Sequence, residues 1–413
     1  MQRPAQIPQV SHDAGSNIKI STIWPAARFS PDTGCDQPSL DRRIVAPQAL
    51  VMSIRIIATG GHSGLGLEAL KTLLATPALA SGGSLTLMVR DANAAAVVKA
   101  RRMLSEQHKA AMPSTESRLT VDTHTMDLAS LSSVRKAADA IRPQLQVSAA
   151  TASGQDIFLL NAAVAKTARN TVVDADRASG SVGYPSDHLV STDSCIETTA
   201  CVNHVAHLLF ISSLAPTISE NAKLGRKTRI VFTGSALHRS IKDVAVLDRF
   251  FSAASHDSPS PWTLRETYAA SKFLQMLGVR ALRRRLQDAL EAAEAPAASV
   301  EVVVVQPGFV PQTGLCRDSG LLTRLAMSYV LPWAPFATSL DDAGRYIADA
   351  CTIDLSTSEV QEEEQDGFHS KDSSVPSALR EVHAKKQRFG TLDSRTADTQ
   401  LQERWWPAAC DEV

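Results

Sequence analysis

The sequence predicts a doubly wound α/β fold, in which a mostly parallel sheet carries helices on both faces. Six short apolar stretches alternate with longer helical patterns between residues 54 and 305. Most of them contain a run of consecutive apolar residues rather than a strict alternation, which is typical of strands buried on both faces of a parallel sheet. A glycine-rich turn follows the first stretch and leads directly into a helical pattern. Together these features indicate right-handed strand–helix–strand units within one sheet.

The individual elements are predicted from the same patterns. The six predicted strands are 54–58, 84–89, 119–126, 156–160, 229–234 and 299–305. The predicted helices are 64–75, 92–108, 130–142, 194–214 and 267–292. A last short strand at 367–369 and a closing helix at 401–406 are also predicted, after an acidic loop at 359–366.

The domain organisation predicted for the 413 residues is a single domain with extensions. Residues 1–51 contain six prolines and no sustained periodicity, so they are predicted to be a flexible N-terminal extension. Residues 52–355 form the predicted core domain, and 356–413 complete it. Residues 165–192 and 236–262 are rich in Ser, Asp, Pro and Gly, which predicts surface insertions or loops.

Composition and charge exclude several classes of function. A formal net charge of −1 gives no electrostatic reason for nucleic-acid binding. The six cysteines include no C-x-x-C pair, which favours reduced thiols in a cytoplasmic protein over disulfides or a zinc site. The sequence contains no run of 18 apolar residues, so a membrane-spanning helix is not predicted. The apolar segment 321–336 favours a substrate lid or core, with peripheral membrane contact as the alternative. The sequence does not decide between a monomer and a homo-oligomer.

The glycine-rich turn TGGHSGLG lies between the first predicted strand and the first predicted helix. Gly60, Gly64 and Gly66 occur where the chain must turn tightly. Glycine tolerates positive φ and lets a phosphate approach the backbone, while the helix N-terminus offers free N–H groups. The turn therefore predicts a dinucleotide site. A purely structural turn is the alternative interpretation.

The second predicted strand ends at Arg90 and Asp91, about 24 residues after Gly66. An acidic residue at this point would bind the ribose 2′-OH of NAD, whereas an arginine would bind the 2′-phosphate of NADP. Arg90 comes first, and Asp91 is explained as the N-cap of the next helix. The sequence thus favours NADP(H).

Tyr268 and Lys272 are four residues apart in YAASK, at the start of an apolar helical run. That spacing places both side chains on one face of a helix. The plain interpretation is two amphipathic residues on a half-exposed helix. The alternative is an acid–base pair that points into one cleft.

Taken together, these motifs resemble the short-chain dehydrogenase/reductase family over roughly residues 52–355. Further segments follow in the family's order: MDL (126–128), LNAA (160–163), VNHVAH (202–207), FTGSALH (232–238) and QPGFV (306–310). The residues of these segments are similar to those of the protochlorophyllide-reductase and retinol-dehydrogenase-like branch. The long insertion of true protochlorophyllide reductases is not recognisable, which argues against light-driven pigment reduction. The resemblance implies a Rossmann-type fold.

The resemblance also implies the site residues. Asn203, Ser235, Tyr268 and Lys272 would be catalytic, with Ser235 holding the carbonyl oxygen and Asn203 ordering a water in a proton relay. The implied cofactor-binding residues are Thr59, Gly60, His62, Ser63, Gly64, Leu65, Gly66, Arg90, Asp127, Leu128, Asn161, Tyr268, Lys272, Pro307, Gly308, Val310 and Thr313. No metal is implied. His204 and His207 have a spacing compatible with metal binding, but packing or a substrate-side contact is favoured.

The residue types agree with carbonyl reduction. A carbonyl that accepts a hydride develops negative charge on oxygen, and Tyr268 can donate a proton to it. Free phenol titrates near 10, too high for easy exchange at neutral pH. An ammonium group about 4 Å away contributes on the order of 4 kcal/mol at an effective dielectric near 20, or roughly three pKa units.

The function predicted from these arguments is an NADP(H)-dependent oxidoreductase that interconverts a carbonyl and an alcohol on a lipophilic small molecule. The apolar segment 315–336 follows the PG turn where the family has its substrate lid, and it suggests the lipophilic substrate. A 3-ketosteroid-type reductase and a secondary-metabolite ketoreductase are both open, and reduction of a C=C bond is a further branch. A catalytically silent NADP-binding regulator is the alternative from another class.

Overall fold

The computed structural model describes residues 53–80, 82–113, 118–173, 195–252, 262–312, 337–352, 379–383, 388–390 and 393–411. Four predicted features therefore lie outside the described residues: the strand at 367–369, the acidic loop at 359–366, Thr313 and the apolar segment 321–336.

The centre of the molecule is an eight-stranded sheet. In chain order the described strands are β1 (Ser53–Thr59), β2 (Gly83–Val89), β3 (Leu119–Thr125), β4 (Gly154–Leu160), β5 (Thr171–Val173), β6 (Cys195–Glu197), β7 (Lys227–Thr233), β8 (Val300–Gln306), β9 (Leu379–His383) and β10 (Arg388–Gly390). The sheet order is β10-β9-β8-β7-β4-β1-β2-β3, and β5 and β6 pair separately as an antiparallel ribbon. All neighbours in the large sheet are parallel except β10, which is antiparallel to β9.

Helices cover both faces of this sheet. The described helices are α1 (Gly64–Leu74), α2 (Ala95–Ala111), α3 (Leu131–Leu145), α4 (Thr198–Ala200), α5 (Ala206–Lys223), α6 (Ala245–Phe251), α7 (Leu264–Ala292), α8 (Leu340–Thr352) and α9 (Thr399–Arg404). One hydrophobic cluster joins the sheet to α3, α5 and α7, and a second joins its other face to α1, α2 and α8. The predicted doubly wound α/β fold is confirmed.

The strand order positions a crevice at one edge of the sheet. From β1 the chain proceeds to β2 and β3 on one side and then crosses to β4, β7 and β8 on the other. In open α/β sheets, ligands bind outside the carboxyl ends of the strands at this reversal point. The ends of β1, β4 and β7 meet there, so residues that follow these strands are the candidates for a site.

The six strands predicted from apolar runs agree with the structure to within two residues at each end. The helix predicted at 194–214 differs more. Its first residues pair as β6, α4 and a π-helical stretch (Cys201–Val205) follow, and α5 then continues to Lys223. The sequence patterns do not predict α8 or β9. Within 236–262, predicted to be a surface insertion or loop, the described residues include a 3₁₀ helix (Ala236–Ser240) and α6.

One described helical stretch, Thr198–Lys223, is long and apolar enough to cross a bilayer. Of its most apolar window, 83% is buried inside the protein. Core helices have the same composition, so this is weak evidence for a membrane span.

The closing helix predicted at 401–406 is present as α9, and the residues around it pack on α7. Trp405 and Trp406 follow α9, and each is only 1% exposed. Arg280 of α7 donates to the Thr396 hydroxyl, and Arg284 of α7 forms an ion pair with Glu403. The C-terminal segment is therefore part of the scaffold that holds α7 in position.

Candidate active site

The turn after β1 requires glycine at two positions for steric reasons. Gly60 has φ +64°, and a Cβ there would lie 2.9 Å from the Ala162 Cα atom. A Cβ on Gly66 would lie 2.3 Å from the carbonyl oxygen of Gly60 and 2.5 Å from Nδ2 of Asn161. Since real Cβ atoms do not approach other atoms this closely, the turn can close against β4 only when both residues lack a side chain.

The N-terminus of α1, at the end of this turn, suits an anionic group. Ser63 is the exposed N-cap residue, and its side chain makes no capping hydrogen bond. The first turn of α1 contains no acidic residue. Gly64 has φ +52°, and no atom of the described residues lies within 4 Å of the position that a Cβ would take. Uncapped amides, the helix dipole and open space together fit a phosphate group. His62 and Leu65, beside them, are half-buried.

A chain of hydrogen bonds connects the glycine-rich turn to α7. Asn161, after β4, donates through Nδ2 to the carbonyl oxygen of Gly60 (3.3 Å). Its Oδ1 accepts from the Thr233 hydroxyl at the end of β7 (3.1 Å). The carbonyl oxygen of Thr233 in turn accepts from Nζ of Lys272 (2.8 Å). Three strand ends and α7 are thus joined by direct contacts.

Thr59 and His207 form further hydrogen bonds that stabilise the same turn. The Thr59 hydroxyl oxygen accepts from the backbone N–H groups of Asn161 and Ala162 (3.0 and 3.1 Å) and lies 3.0 Å from Nε2 of His207. Because its lone pairs are occupied, the hydroxyl donates to Nε2, which leaves the His207 proton on Nδ1. Burial lowers the pKa of His207 to about 3, so the ring stays neutral. The Nε2 lone pair is thus engaged by the Thr59 hydroxyl within the core, as the packing interpretation expects.

Tyr268 and Lys272 share one face of α7, as their spacing predicted. Tyr268 is 9% exposed and Lys272 is 1% exposed. Nζ of Lys272 lies 5.8 Å from the centroid of the Tyr268 ring. The lysine is therefore not a surface side chain, and the plain interpretation of two amphipathic residues on a half-exposed helix does not describe this pair.

Burial strongly affects the charge on Lys272. Desolvation lowers its pKa from 10.5 to about 7. The folded protein thus binds fewer protons than the unfolded chain between pH 7 and 10.5. Stability gains with rising pH across this window, and the full cost of burying the ammonium is present below pH 7.

Lys272→Met should therefore change stability in a pH-dependent way. The thermal midpoint of the variant minus that of the wild type should be largest at about pH 6 and should fall as the pH approaches about 10, because only the charged lysine carries the burial cost. The exposed Lys242, changed to Met, is the matched control and should show no such trend. A Lys272→Met difference that is constant with pH would contradict the buried ammonium.

Asn203 lies within the π-helical stretch, and its amide is already engaged. Oδ1 accepts from the Val164 backbone N–H (2.8 Å), and Nδ2 donates to the Val164 carbonyl oxygen (2.9 Å) and to the Ser271 hydroxyl (3.0 Å). The wider π turn, a frequent feature of functional sites, brings this residue between β4 and α7. The amide thus clamps the segment after β4, and the expectation that Asn203 orders a water in a proton relay stays a prediction.

Ser235 follows β7 at the same edge of the sheet. It is half-buried and is the N-cap residue of the 3₁₀ helix, where its hydroxyl accepts from the Leu237 N–H (3.3 Å). Nδ1 of the buried His238 donates to the Ser235 carbonyl oxygen (2.7 Å). His238 thus holds the backbone of Ser235 from behind, a contact that the sequence analysis did not identify.

The outer part of the crevice contains the other predicted cofactor residues. Arg90 is exposed and follows β2, which is parallel to β1, so it lies at the same edge of the sheet as the turn. Asp91 does not cap α2, because its Oδ1 accepts from Asn93 N–H (2.8 Å) and the helix begins only at Ala95. Asp127 is half-buried and accepts from the Ala129 N–H (3.0 Å), while Leu128 beside it is buried.

The PG turn after β8 closes the far side of the crevice. Pro307 is buried, and Gly308 is exposed with φ +86°. A Cβ on Gly308 would lie 2.3 Å from Oγ1 of Thr338, so glycine is required here as well. The carbonyl oxygen of Phe309 accepts from the Thr338 N–H (2.8 Å), which connects the turn to α8, and Val310 is buried.

Gln275 is the other residue that the sequence analysis did not single out. It lies on α7, is 1% exposed and contacts both Lys272 and the Asn203 backbone. Gly278, one turn later, lets α7 approach closely, since a Cβ there would lie 2.3 Å from Cε1 of His204. His204 Nε2 lies 3.4 Å from the Trp405 carbonyl oxygen, and burial lowers the His204 pKa to about 3.

No family model and no curated protein sequence matches the chain. Among solved structures, it is similar to an alcohol dehydrogenase from the archaeon Thermococcus sibiricus complexed with 5-hydroxy-NADP, at 14% identity over 72% of this chain and 89% of that one (TM-score 0.41). An NADPH-bound carbonyl reductase from chicken fatty liver is 16% identical over 73% and 87% (TM-score 0.42). A 3-oxoacyl-[acyl-carrier protein] reductase from Brucella melitensis in complex with NAD is 17% identical over 73% and 90% (TM-score 0.41).

Proposed function

We propose that this chain is a short-chain dehydrogenase/reductase, an NADP(H)-dependent oxidoreductase that interconverts a carbonyl and an alcohol. The observation that carries the proposal is the chain of hydrogen bonds from Lys272 through Thr233 and Asn161 to the carbonyl of Gly60. It couples an acid–base pair on α7 to a turn whose shape suits a phosphate. A lysine used only for packing would not need to be buried at this junction.

The cofactor would be held along the carboxyl edge of the sheet. The uncapped N-terminus of α1 would bind the pyrophosphate. Arg90 would bind the 2′-phosphate, and Lys272 would bind the nicotinamide ribose. Asp127, Leu128, Asn161 and the PG turn would contact the remaining parts. When bound, a nicotinamide dinucleotide supplies or accepts the hydride.

The protein's own residues would manage the proton and the developing charge. The Tyr268 phenol donates a proton to the substrate oxygen in reduction and accepts it in oxidation. The Ser235 hydroxyl donates a hydrogen bond to the same oxygen and holds it in place. The Lys272 ammonium, 5.8 Å from the Tyr268 ring centroid, favours the phenolate over the phenol. Burial of both side chains keeps this interaction poorly screened by solvent.

NADPH should bind more tightly than NADH because the Arg90 guanidinium presents a fork of donors that matches the 2′-phosphate. Arg90→Ala should weaken NADPH binding by about ten- to a hundredfold and leave NADH affinity nearly unchanged. Titration of nicotinamide fluorescence measures both affinities. Arg102→Ala, at an exposed arginine on α2, is the matched control. Equal affinities in the wild type would contradict the assignment and favour Asp91 as the ribose ligand.

The substrate class proposed is lipophilic and of medium size. Its support is the sequence of 315–336, whose Leu, Met, Trp and Phe residues follow the PG turn. A 3-ketosteroid and a secondary-metabolite ketone both fit this description. The test is a panel of ketones, aldehydes and alcohols of graded hydrophobicity with the purified protein, followed by absorbance of the reduced nicotinamide. Turnover confined to small hydrophilic carbonyls would contradict the substrate class but not the reaction.

A catalytically silent NADP-binding regulator is the second candidate. The glycine-rich turn alone would support it, but such a protein needs neither a buried lysine nor a tyrosine one turn away. NADPH binding without turnover on any member of the panel would favour the regulator.

A further inference from the structure

Gln275 connects the candidate acid–base pair to the backbone of the π-helical stretch. Its Oε1 atom lies 3.1 Å from Nζ of Lys272, and its Nε2 atom lies 3.2 Å from the carbonyl oxygen of Asn203. The side chain is 1% exposed. One buried amide thus spans the gap between α7 and the segment that holds Asn203.

The orientation of this amide follows from its partners. A charged lysine can only donate hydrogen bonds, and a backbone carbonyl can only accept them. The amide oxygen must therefore face Lys272, and the NH₂ group must face Asn203. A flipped amide would lose both bonds in a buried site, where an unpaired polar group is costly.

Asn203 takes part in this link through its backbone and not through its side chain. The side chain clamps Val164, and the carbonyl oxygen accepts from Gln275. An amide donates and accepts hydrogen bonds, but it does not titrate in the working pH range. It can hold an ammonium group in place without exchanging protons with it.

We propose that Gln275 is a positioning residue that fixes the Lys272 ammonium group between the Thr233 carbonyl and its own amide oxygen, and so keeps the positive charge beside Tyr268. This role rests on the proposed function of Tyr268 and Lys272. In this role the Gln275 side chain fills the space between Lys272 Nζ and the Asn203 carbonyl oxygen.

Lys272 needs such support because burial opposes its charge. Desolvation lowers its pKa to about 7, and the Thr233 carbonyl and the Gln275 amide are the acceptors that the described residues provide. Among the described residues, Tyr268 on α7 and His207 on α5 interact with Lys272, and His204 in the π-helical stretch interacts with His207. The pKa of each histidine is lowered to about 3, so both stay neutral near pH 7. The acceptor on Gln275 is therefore the local group that a substitution can remove most selectively.

The test is a tyrosinate absorbance titration of Gln275→Met. Methionine keeps the length and burial of the side chain and removes both hydrogen bonds. A hydrogen bond to a charged group is worth about one to two pKa units, so Lys272 should become mostly neutral near pH 7. The difference between the absorbance titrations of the wild type and of Tyr268→Phe identifies the ionisation step of Tyr268. In Gln275→Met that step should move to higher pH by about one unit. On a verified substrate, kcat should fall about tenfold, with its pH profile moved in the same direction.

Gln402→Met is the matched control, because Gln402 is also a buried glutamine (2% exposed) that contacts α7, through Arg284. It should leave the Tyr268 step unchanged. If Gln275→Met fails to fold, Gln275→Leu provides the test: it also removes both hydrogen bonds, so the Tyr268 step should move in the same direction. An unchanged Tyr268 step in a folded Gln275 variant, or an equal shift in Gln402→Met, would overturn the positioning role. Full activity of Tyr268→Phe would instead overturn the proposed function.

Discussion

Tyr268→Phe is expected to reduce kcat by a factor of about 10²–10⁴, the usual contribution of a positioned general acid. Phenylalanine keeps the ring, which is packed at 9% exposure on α7, and removes only the oxygen that would donate the proton. NADPH affinity should remain within about threefold of the wild type, because phenylalanine keeps the ring in place and the proposed phosphate ligands and Lys272 are unchanged. Steady-state rates and nicotinamide fluorescence measure the two effects separately.

Tyr346→Phe is the matched control for this loss. Tyr346 lies on α8, where the Arg345 guanidinium lies over its ring, and its phenol has no role in the proposed reaction. This variant should keep wild-type activity. A Tyr268→Phe protein that retained most of its turnover would show that the phenol is not the proton donor.

Gly66→Ala is expected to cause the second large effect, on cofactor binding. The added methyl group would lie 2.3 Å from the Gly60 carbonyl oxygen and 2.5 Å from Nδ2 of Asn161. It would therefore break the hydrogen bond between these groups and push the turn away from β4. Overpacking of this kind costs about 1–3 kcal/mol of stability. NADPH affinity should fall more than about tenfold, because the turn loses the shape proposed to bind the phosphates.

Gly225→Ala separates this effect from a general cost of replacing glycine. Gly225 has φ +95°, and in the part of the chain that the structure describes no atom lies within 4 Å of a Cβ there. The variant should lose about 1–2 kcal/mol through backbone strain while keeping its affinity for NADPH. Equal NADPH affinity in Gly66→Ala and the wild type would mean that the dinucleotide does not bind at this turn.

The sequence predicted the strands better than the helices that join them. Strands such as β4 contain a continuous apolar run (157–160) that ends at a polar residue, so they are visible without tertiary information. The stretch before α5 is different: its apolar residues fit a helix, and only pairing with Val172 and its neighbours makes 195–197 a strand. Residues 245–251 form a helix because Val246, Leu247 and Phe250 can bury one side, and α7 provides the surface on which they pack.

The candidate site shows the same division. Gly60, Gly66, Tyr268 and Lys272 were identified because turn chemistry and helical spacing are local properties of the sequence. Gln275 was not, since its importance depends on the Asn203 carbonyl, which lies 72 positions away along the chain. The engaged amide of Asn203 was missed for a related reason: the π turn that directs it toward Val164 leaves no clear pattern in composition or periodicity.

The most direct test of the central claim is deuterium transfer. Wild-type protein and Tyr268→Phe are each incubated with NADPH carrying deuterium at nicotinamide C4 and with the carbonyl panel, and the products are analysed by mass spectrometry. We expect the wild type to yield an alcohol with deuterium on the carbinol carbon, and Tyr268→Phe to bind the same cofactor and yield almost none. A wild-type protein that binds NADPH but transfers no deuterium to any carbonyl, or a Tyr268→Phe protein that transfers it as fast, would contradict the account.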